Sequence, residues 1–136
     1  MVDNISPTAT WTALQDDPQA WLVDVRTDLE WTNIGVPDLA AADKHPVLVQ
    51  WQTAPAMAVN PDFVAELIEA GISAKDHIYF ICRSGVRSLA AAQTARAAGF
   101  PHVYNVADGF EGPPDATGQR GKTAGWQADS LPWRLR

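Results

Sequence analysis

One cysteine stands in this 136-residue chain, and its neighbours are residues that make a thiol reactive. The stretch Ile81-Cys82-Arg83-Ser84-Gly85-Val86-Arg87-Ser88 places two arginines, two serines and a glycine within six positions of the sulfur. The thiolate is the nucleophilic form of cysteine, and nearby arginines or a helix N-terminus lower the thiol pKa from about 8.5 to roughly 3.5–7.5. Gly85 frees the backbone to turn its N–H groups inward as an anion-binding nest. A helix opening near Arg87 would add its positive end. Arg83 and Arg87 can each hold an oxyanion such as a sulfonate or phosphate. Ser84 and Ser88 can donate to a sulfur or an oxyanion, while Ser88 can equally cap the helix. Two arginines and a glycine fill a core poorly, which separates Cys82 from the buried, inert kind of cysteine.

The flanking patterns say what positions this loop. His77 to Ile81 is an apolar run that reads as a central strand, and Arg87 to Ala98, rich in alanine and closed by Gly99, reads as a helix. Trp21 to Val25 and Val103 to Val106 read as further buried strands, and Val47-Leu48-Val49 as a shorter one. Asn60-Pro61 opens a helix with Phe63, Val64, Leu67 and Ile68 on its apolar face, ended by Gly71. Strands alternating with helices over short connections imply a parallel sheet with helices on both faces. Ligands of such sheets bind beyond the carboxyl ends of the strands. Cys82 falls there, as do Asp24 and Arg26 at the end of another strand. That pair can brace the loop, contact a substrate or simply neutralise itself; Glu30 pairs or caps nearby.

Composition narrows the function classes. The length suits one domain, and 46% apolar with 19% charged residues is ordinary for a globular protein. A net charge of -6 without any basic stripe argues against a nucleic-acid partner. No run approaches the ~20 apolar residues that span a bilayer, and Met1 to Thr10 lacks the basic and apolar regions of a signal peptide. A lone cysteine cannot form an internal disulfide, which points to a reducing compartment, most simply the cytoplasm. Any covalent state of Cys82 must then be discharged by an outside molecule. His45, His77 and His102 lack metal-ligand spacing, so no metal is expected. Of six tryptophans, Trp11, Trp21 and Trp31 are assigned to the core, while Trp51, Trp126 and Trp133 can pack, wall the site mouth or meet a partner.

The chain resembles the rhodanese family. Cys82-Arg83-Ser84-Gly85-Val86-Arg87 matches the family's Cys-Arg-x-Gly-x-Arg loop. Leu22-Val23-Asp24-Val25-Arg26 with Glu30 matches its upstream strand, and Tyr104-Asn105-Val106 with Gly109-Phe110-Glu111-Gly112 matches the segment after its last strand. Gly125-Trp126 and Leu131-Pro132-Trp133 resemble a bacterial single-domain subgroup of thiosulfate sulfurtransferase type.

The resemblance implies a three-layer α/β sandwich over 1–136, with a five-stranded parallel sheet of order 1-5-4-2-3. Its first strand would lie near Asn4-Ile5, and a tail over 108–136 would lie across the domain. It also implies that Cys82 carries sulfane sulfur as a persulfide, from a small anionic donor such as thiosulfate to cyanide or a cellular thiol, with no cofactor. The loop of Arg83, Ser84, Gly85, Val86, Arg87 and Ser88 would bind substrate and persulfide, and Asp24 and Arg26 would support it. Four residues separate Cys82 from Arg87, where the related phosphatases have five, so the loop fits one sulfur better than a phosphate. Both arginines favour a doubly charged donor such as thiosulfate, with a small charged persulfide as the alternative. The alternative is a sulfur-relay or interaction module that hands its sulfur to a partner protein.

Overall fold

The apolar runs become strands because alternate residues can be buried on two faces at once. The structure, a computed structural model, describes residues 2–136; Met1, the first residue of the domain expected over 1–136, lies outside the described residues. In chain order the elements are β1 (Asp3–Ile5), α1 (Pro7–Asp16), β2 (Ala20–Asp24), α2 (Asp28–Asn33), β3 (Val36–Pro37), a 3-10 turn (Ala40–Ala42), β4 (Val47–Leu48), β5 (Gln52–Thr53), β6 (Ala58–Val59), α3 (Phe63–Glu69), β7 (His77–Ile81), α4 (Val86–Ala97), β8 (Val103–Val106) and β9 (Trp133–Arg134).

The main sheet is parallel, with neighbours in the order β1-β8-β7-β2-β4. Counting only these five strands along the chain, that is 1-5-4-2-3, the rhodanese-like order. On one face Val23, Ile78, Phe80 and Val103 pack against Phe63 and Leu67 of α3 and Ala91, Ala92 and Ala95 of α4. On the other, Leu22, Tyr79, Ile81 and Val106 pack against Leu14 of α1, Leu39, Phe110 and Trp126. The period-two alternation of β7 splits its residues between the two cores.

Several elements depart from the sequence reading. α1 and α2 were not foreseen in the proline-rich N-terminal half. Ser6 caps α1, accepting the Ala9 N–H at 3.1 Å, and Pro7 sits in its first turn. Thr27 and Glu30 form a capping box on α2. α3 starts at Phe63 rather than at Asn60-Pro61. Asn60 instead accepts the Asp62 N–H and donates its amide to Gln50 O and Glu66. Trp31 is buried, whereas Trp11 and Trp21 are half-buried against the two cores.

The segment after β8 returns across the carboxyl ends of the strands. Trp126 is fully buried, meets Trp11 edge-on, and donates its indole N–H to Pro132 O at 2.7 Å. β9 pairs antiparallel with β3, over Gly35, where any Cβ would fall 2.7 Å from Arg134 O. Trp133 stays 41% exposed, edge-on to Phe110.

Asp24 and Arg26 form an ion pair with no solvent exposure. Arg26 Nη2 donates to Asp24 Oδ2 and to Gly35 O, each at 2.7 Å, and the guanidinium lies 4.2 Å over the Phe110 ring. One side chain thus joins the end of β2, the turn before β3 and the tail. Removing one member of such a pair strands a buried charge, so Arg26→Ala should lower unfolding free energy by about 3–5 kcal/mol in urea denaturation. A loss under about 1 kcal/mol would show the pair to be dispensable.

Candidate active site

Cys82 is the first residue beyond β7, and its parity decides its surroundings. Ile78 and Phe80 face α3 and α4, and Cys82 continues that alternation. Its sulfur therefore sits under the start of α4, and the residue is 1% exposed. Asn105, paired with Phe80 across β7 and β8, belongs to the same face. Asp24 has the opposite parity, which puts the Asp24–Arg26 pair on the far side of the sheet with Phe110. The pair neutralises itself, it touches neither the thiol nor the loop side chains through any hydrogen bond, and it braces the tail.

The tail orients the loop. Phe110 N–H donates to Cys82 O at 2.8 Å, and the N–H groups of Glu111 and Gly112 donate to Arg83 O at 3.0 Å. In a planar trans peptide the N–H points opposite to the C=O. Anchoring these two carbonyls on the tail therefore turns the Arg83 and Ser84 N–H groups away from it. The approach is close enough to require glycine at 109, where a Cβ would fall 2.4 Å from Cys82 O. Gly85 takes φ 105°, a left-handed value that suits glycine, and its N–H donates to Cys82 Sγ at 3.1 Å. Val86, 77% exposed, begins the helix.

Ser88 does not cap α4; Gly85 holds that position without a side-chain bond. The buried Ser88 hydroxyl lies 3.2 Å from Cys82 Sγ and 2.5 Å from Asn105 Oδ1. Asn105 is held in orientation by its amide N–H groups, which donate to Asn4 Oδ1 at 2.9 Å and Gly85 O at 3.1 Å. A hydroxyl has one proton. While it donates to Asn105, the thiol can donate to Ser88 Oγ. Once the thiol ionises, the same proton can turn to the sulfur. Asn105 is thus a site residue that enters the sequence reading only as part of a matching segment. Its polarity on a buried strand face was the available signal.

Beside the Cys82 loop lies an open cleft of about 340 Å³ lined by Glu30, Ile34, Met57, Arg83, Arg87 and Glu111. Arg87 is not free within it. Its two terminal nitrogens donate to the two oxygens of Glu30 at 2.6 and 2.9 Å. Glu30 Oε1 also accepts the Thr27 N–H and hydroxyl. Burial alone would push the Glu30 carboxyl up, but the Arg87 hydrogen bonds and charge outweigh it and hold the pKa below 4.5. The Glu30 bonds in turn push the Arg87 guanidinium up, aided by the Cys82 charge. Arg83 is exposed, and neither it nor Glu111 has a side-chain partner among the described residues. His77, at the opposite end of β7, pairs with Asp17, and no cluster among the described residues could hold a metal ion.

The family model described as the STR4 middle domain matches residues 3–136. The chain belongs to that family. An uncharacterized protein of Rickettsia conorii is 36% identical, with 98% of each chain covered. The crystal structure of Rv0390 from M. tuberculosis is 43% identical, covers 99% of this chain and 98% of its own, and superposes with a TM-score of 0.89. A polysulfide-sulfur transferase homodimer from Wolinella succinogenes is 21% identical over 99% of this chain and 80% of its own, with a TM-score of 0.65. A rhodanese-related protein from Thermoplasma volcanium reaches 0.60 at 16% identity, covering 98% of this chain and 99% of its own. The chain has the rhodanese-like fold. Among the described residues no helix is long and apolar enough to cross a membrane.

Two measurements check this geometry. A hydrogen bond to a charged sulfur contributes about 1.5 kcal/mol, so Ser88→Ala should slow iodoacetamide alkylation of Cys82 at neutral pH about tenfold. An unchanged rate would remove Ser88 from the site. Because the Glu30 pKa is lowered on folding, its contribution to stability is full above pH 4.5 and is lost as pH falls through the folded value. The margin in melting temperature of wild type over Glu30→Gln should therefore shrink below pH 4.5. A margin constant down to the acid transition would show that the pair adds no pH dependence.

Proposed function

We propose that this chain is a sulfurtransferase that moves sulfane sulfur through a persulfide on Cys82. The observation that carries the reading is the surroundings of the sulfur: it is buried under a loop whose Gly85 N–H and Ser88 hydroxyl converge on it. The fold shared with a polysulfide-sulfur transferase supports the same chemistry. The Cys82 thiolate attacks the sulfane sulfur of thiosulfate or a related donor. A new S–S bond forms, the donor's S–S bond breaks, and with thiosulfate the electron pair leaves on sulfite. The persulfide then gives its outer sulfur to cyanide or a cellular thiol, and the thiolate returns. Hydrogen bonds preorganised around the sulfur stabilise its negative charge in both steps. Arg83, Ser84, Gly85, Val86 and Ser88 of the loop bind donor and persulfide, Arg87 braces the loop through Glu30, Asp24 and Arg26 support it through the tail, and no metal or organic cofactor enters the chemistry. A lone thiol used in this way suits a reducing compartment such as the cytoplasm.

A second reading, in which the acceptor is a partner protein, is favoured by the rim of the site. Val86 is 77% exposed and Met57 38%, apolar surface that a docking thiol protein would cover.

Intact mass after brief incubation with thiosulfate tests the central claim. Wild type should gain about 32 Da, one sulfur atom, in an adduct removed by cyanide or a thiol, and Cys82→Ser should gain nothing. A gain that survives in Cys82→Ser would refute the assignment of the nucleophile.

A further inference from the structure

We infer that the cleft beside the Cys82 loop selects a zwitterionic donor: a small persulfide carrying both a carboxylate and an ammonium group, as cysteine persulfide does, in preference to the dianion thiosulfate. This rests on the sulfurtransferase reading and narrows its substrate class.

The argument is one of charge. Four ionisable side chains line the cleft, Arg83, Arg87, Glu30 and Glu111, and their formal charges cancel. Two are engaged with each other. The Arg87–Glu30 contact is bidentate, with side chains only 17% and 21% exposed, and Glu30 is further tied to Thr27. A donor anion that drew Arg87 away would leave a half-buried carboxylate without its cation. The guanidinium that the sequence reading assigns to donor binding is therefore already satisfied.

One cation and one anion remain. Arg83 extends from the loop, and Glu111 extends from the tail that clamps it. The Glu111 N–H donates to Arg83 O at 3.0 Å, so the two residues are backbone neighbours although 28 positions separate them in the chain (111 against 83). A dianion entering here meets one unpaired guanidinium and one unpaired carboxylate, beside an ion pair whose charges cancel. A zwitterion sets its carboxylate against Arg83 and its ammonium against Glu111. The cleft, about 340 Å³, is larger than thiosulfate fills, and Ile34 and Met57 line it with apolar surface for a carbon skeleton. The transfer balances without a further reagent. The Cys82 thiolate attacks the outer sulfur of the persulfide and forms an S–S bond. The donor's S–S bond breaks, and its electron pair leaves on the donor thiolate, which takes up a proton from water.

Glu111 and Arg83 are then specificity-determining residues, and their test compares loading rates of Cys82 by intact mass. The donors are cysteine persulfide, N-acetylcysteine persulfide (no ammonium), cysteamine persulfide (no carboxylate) and thiosulfate. A single exposed charge pair is worth about 3–5-fold in rate. In Glu111→Gln the rate ratio of cysteine to N-acetylcysteine persulfide should fall by about that factor, while thiosulfate loads faster. In Arg83→Gln the ratio of cysteine to cysteamine persulfide should fall likewise, which keeps the test open if one variant folds poorly. Ratios unchanged from wild type in the folded variants would overturn the proposal and leave the sulfurtransferase reading standing. Failure of every donor to load folded, reduced wild type would sink that reading and the proposal with it.

Discussion

Three backbone hydrogen bonds from Phe110, Glu111 and Gly112 onto the carbonyls of Cys82 and Arg83 govern the rest of this structure. They set the peptide planes of the loop and bring the tail against the backbone of Cys82 and Arg83. The approach leaves no space for a side chain at 109. Everything that holds Phe110 in place therefore acts on the loop from a distance: the Arg26 guanidinium over its ring, the buried Trp126 behind it, and the Trp133 ring at its edge. The tail contributes one wall of the cleft through Glu111 and the scaffold of the loop through its backbone.

The two arginine–carboxylate pairs divide the work by face. Asp24–Arg26 is wholly buried on the α1 side, where it fastens sheet to tail. Arg87–Glu30 sits at the cleft on the α4 side and joins the first turn of α4 to the capping box of α2. Each draws on one short sequence segment, since Asp24, Arg26 and Glu30 lie within seven positions of one another while Arg87 comes from the loop. The reversal of side-chain direction at the strand end, followed by α2, sends its two pairs to opposite faces.

Much of this was legible in the chain. The strands at Trp21, His77 and Val103 follow from apolar runs, and the long helix after Gly85 from its alanines. Cys82 and its loop stand out because arginines and glycine next to a cysteine serve chemistry better than packing. The helices α1 and α2 were missed because their propensity is ordinary and their caps, Ser6 and Thr27, lie among prolines and charges that read equally well as turns. Ser88 reads from its position after the loop either as a cap or as a donor to the sulfur; the left-handed Gly85 starts the helix earlier and frees the hydroxyl for the sulfur.

The sequence by itself determined the place of Cys82 at a strand end, the parallel α/β sheet and the spacing of the loop, because each is written in residues close together in the chain. Tertiary structure alone decided which charges are free. Arg87 and Glu30 lie 57 positions apart, and Asn105 stands 17 from Ser88. Their pairing depends on strand parity and on where the tail crosses the sheet. Local patterns determine which residue types are present, but the electrostatics of a cleft depend on the distances between side chains, and only the packed layers fix those.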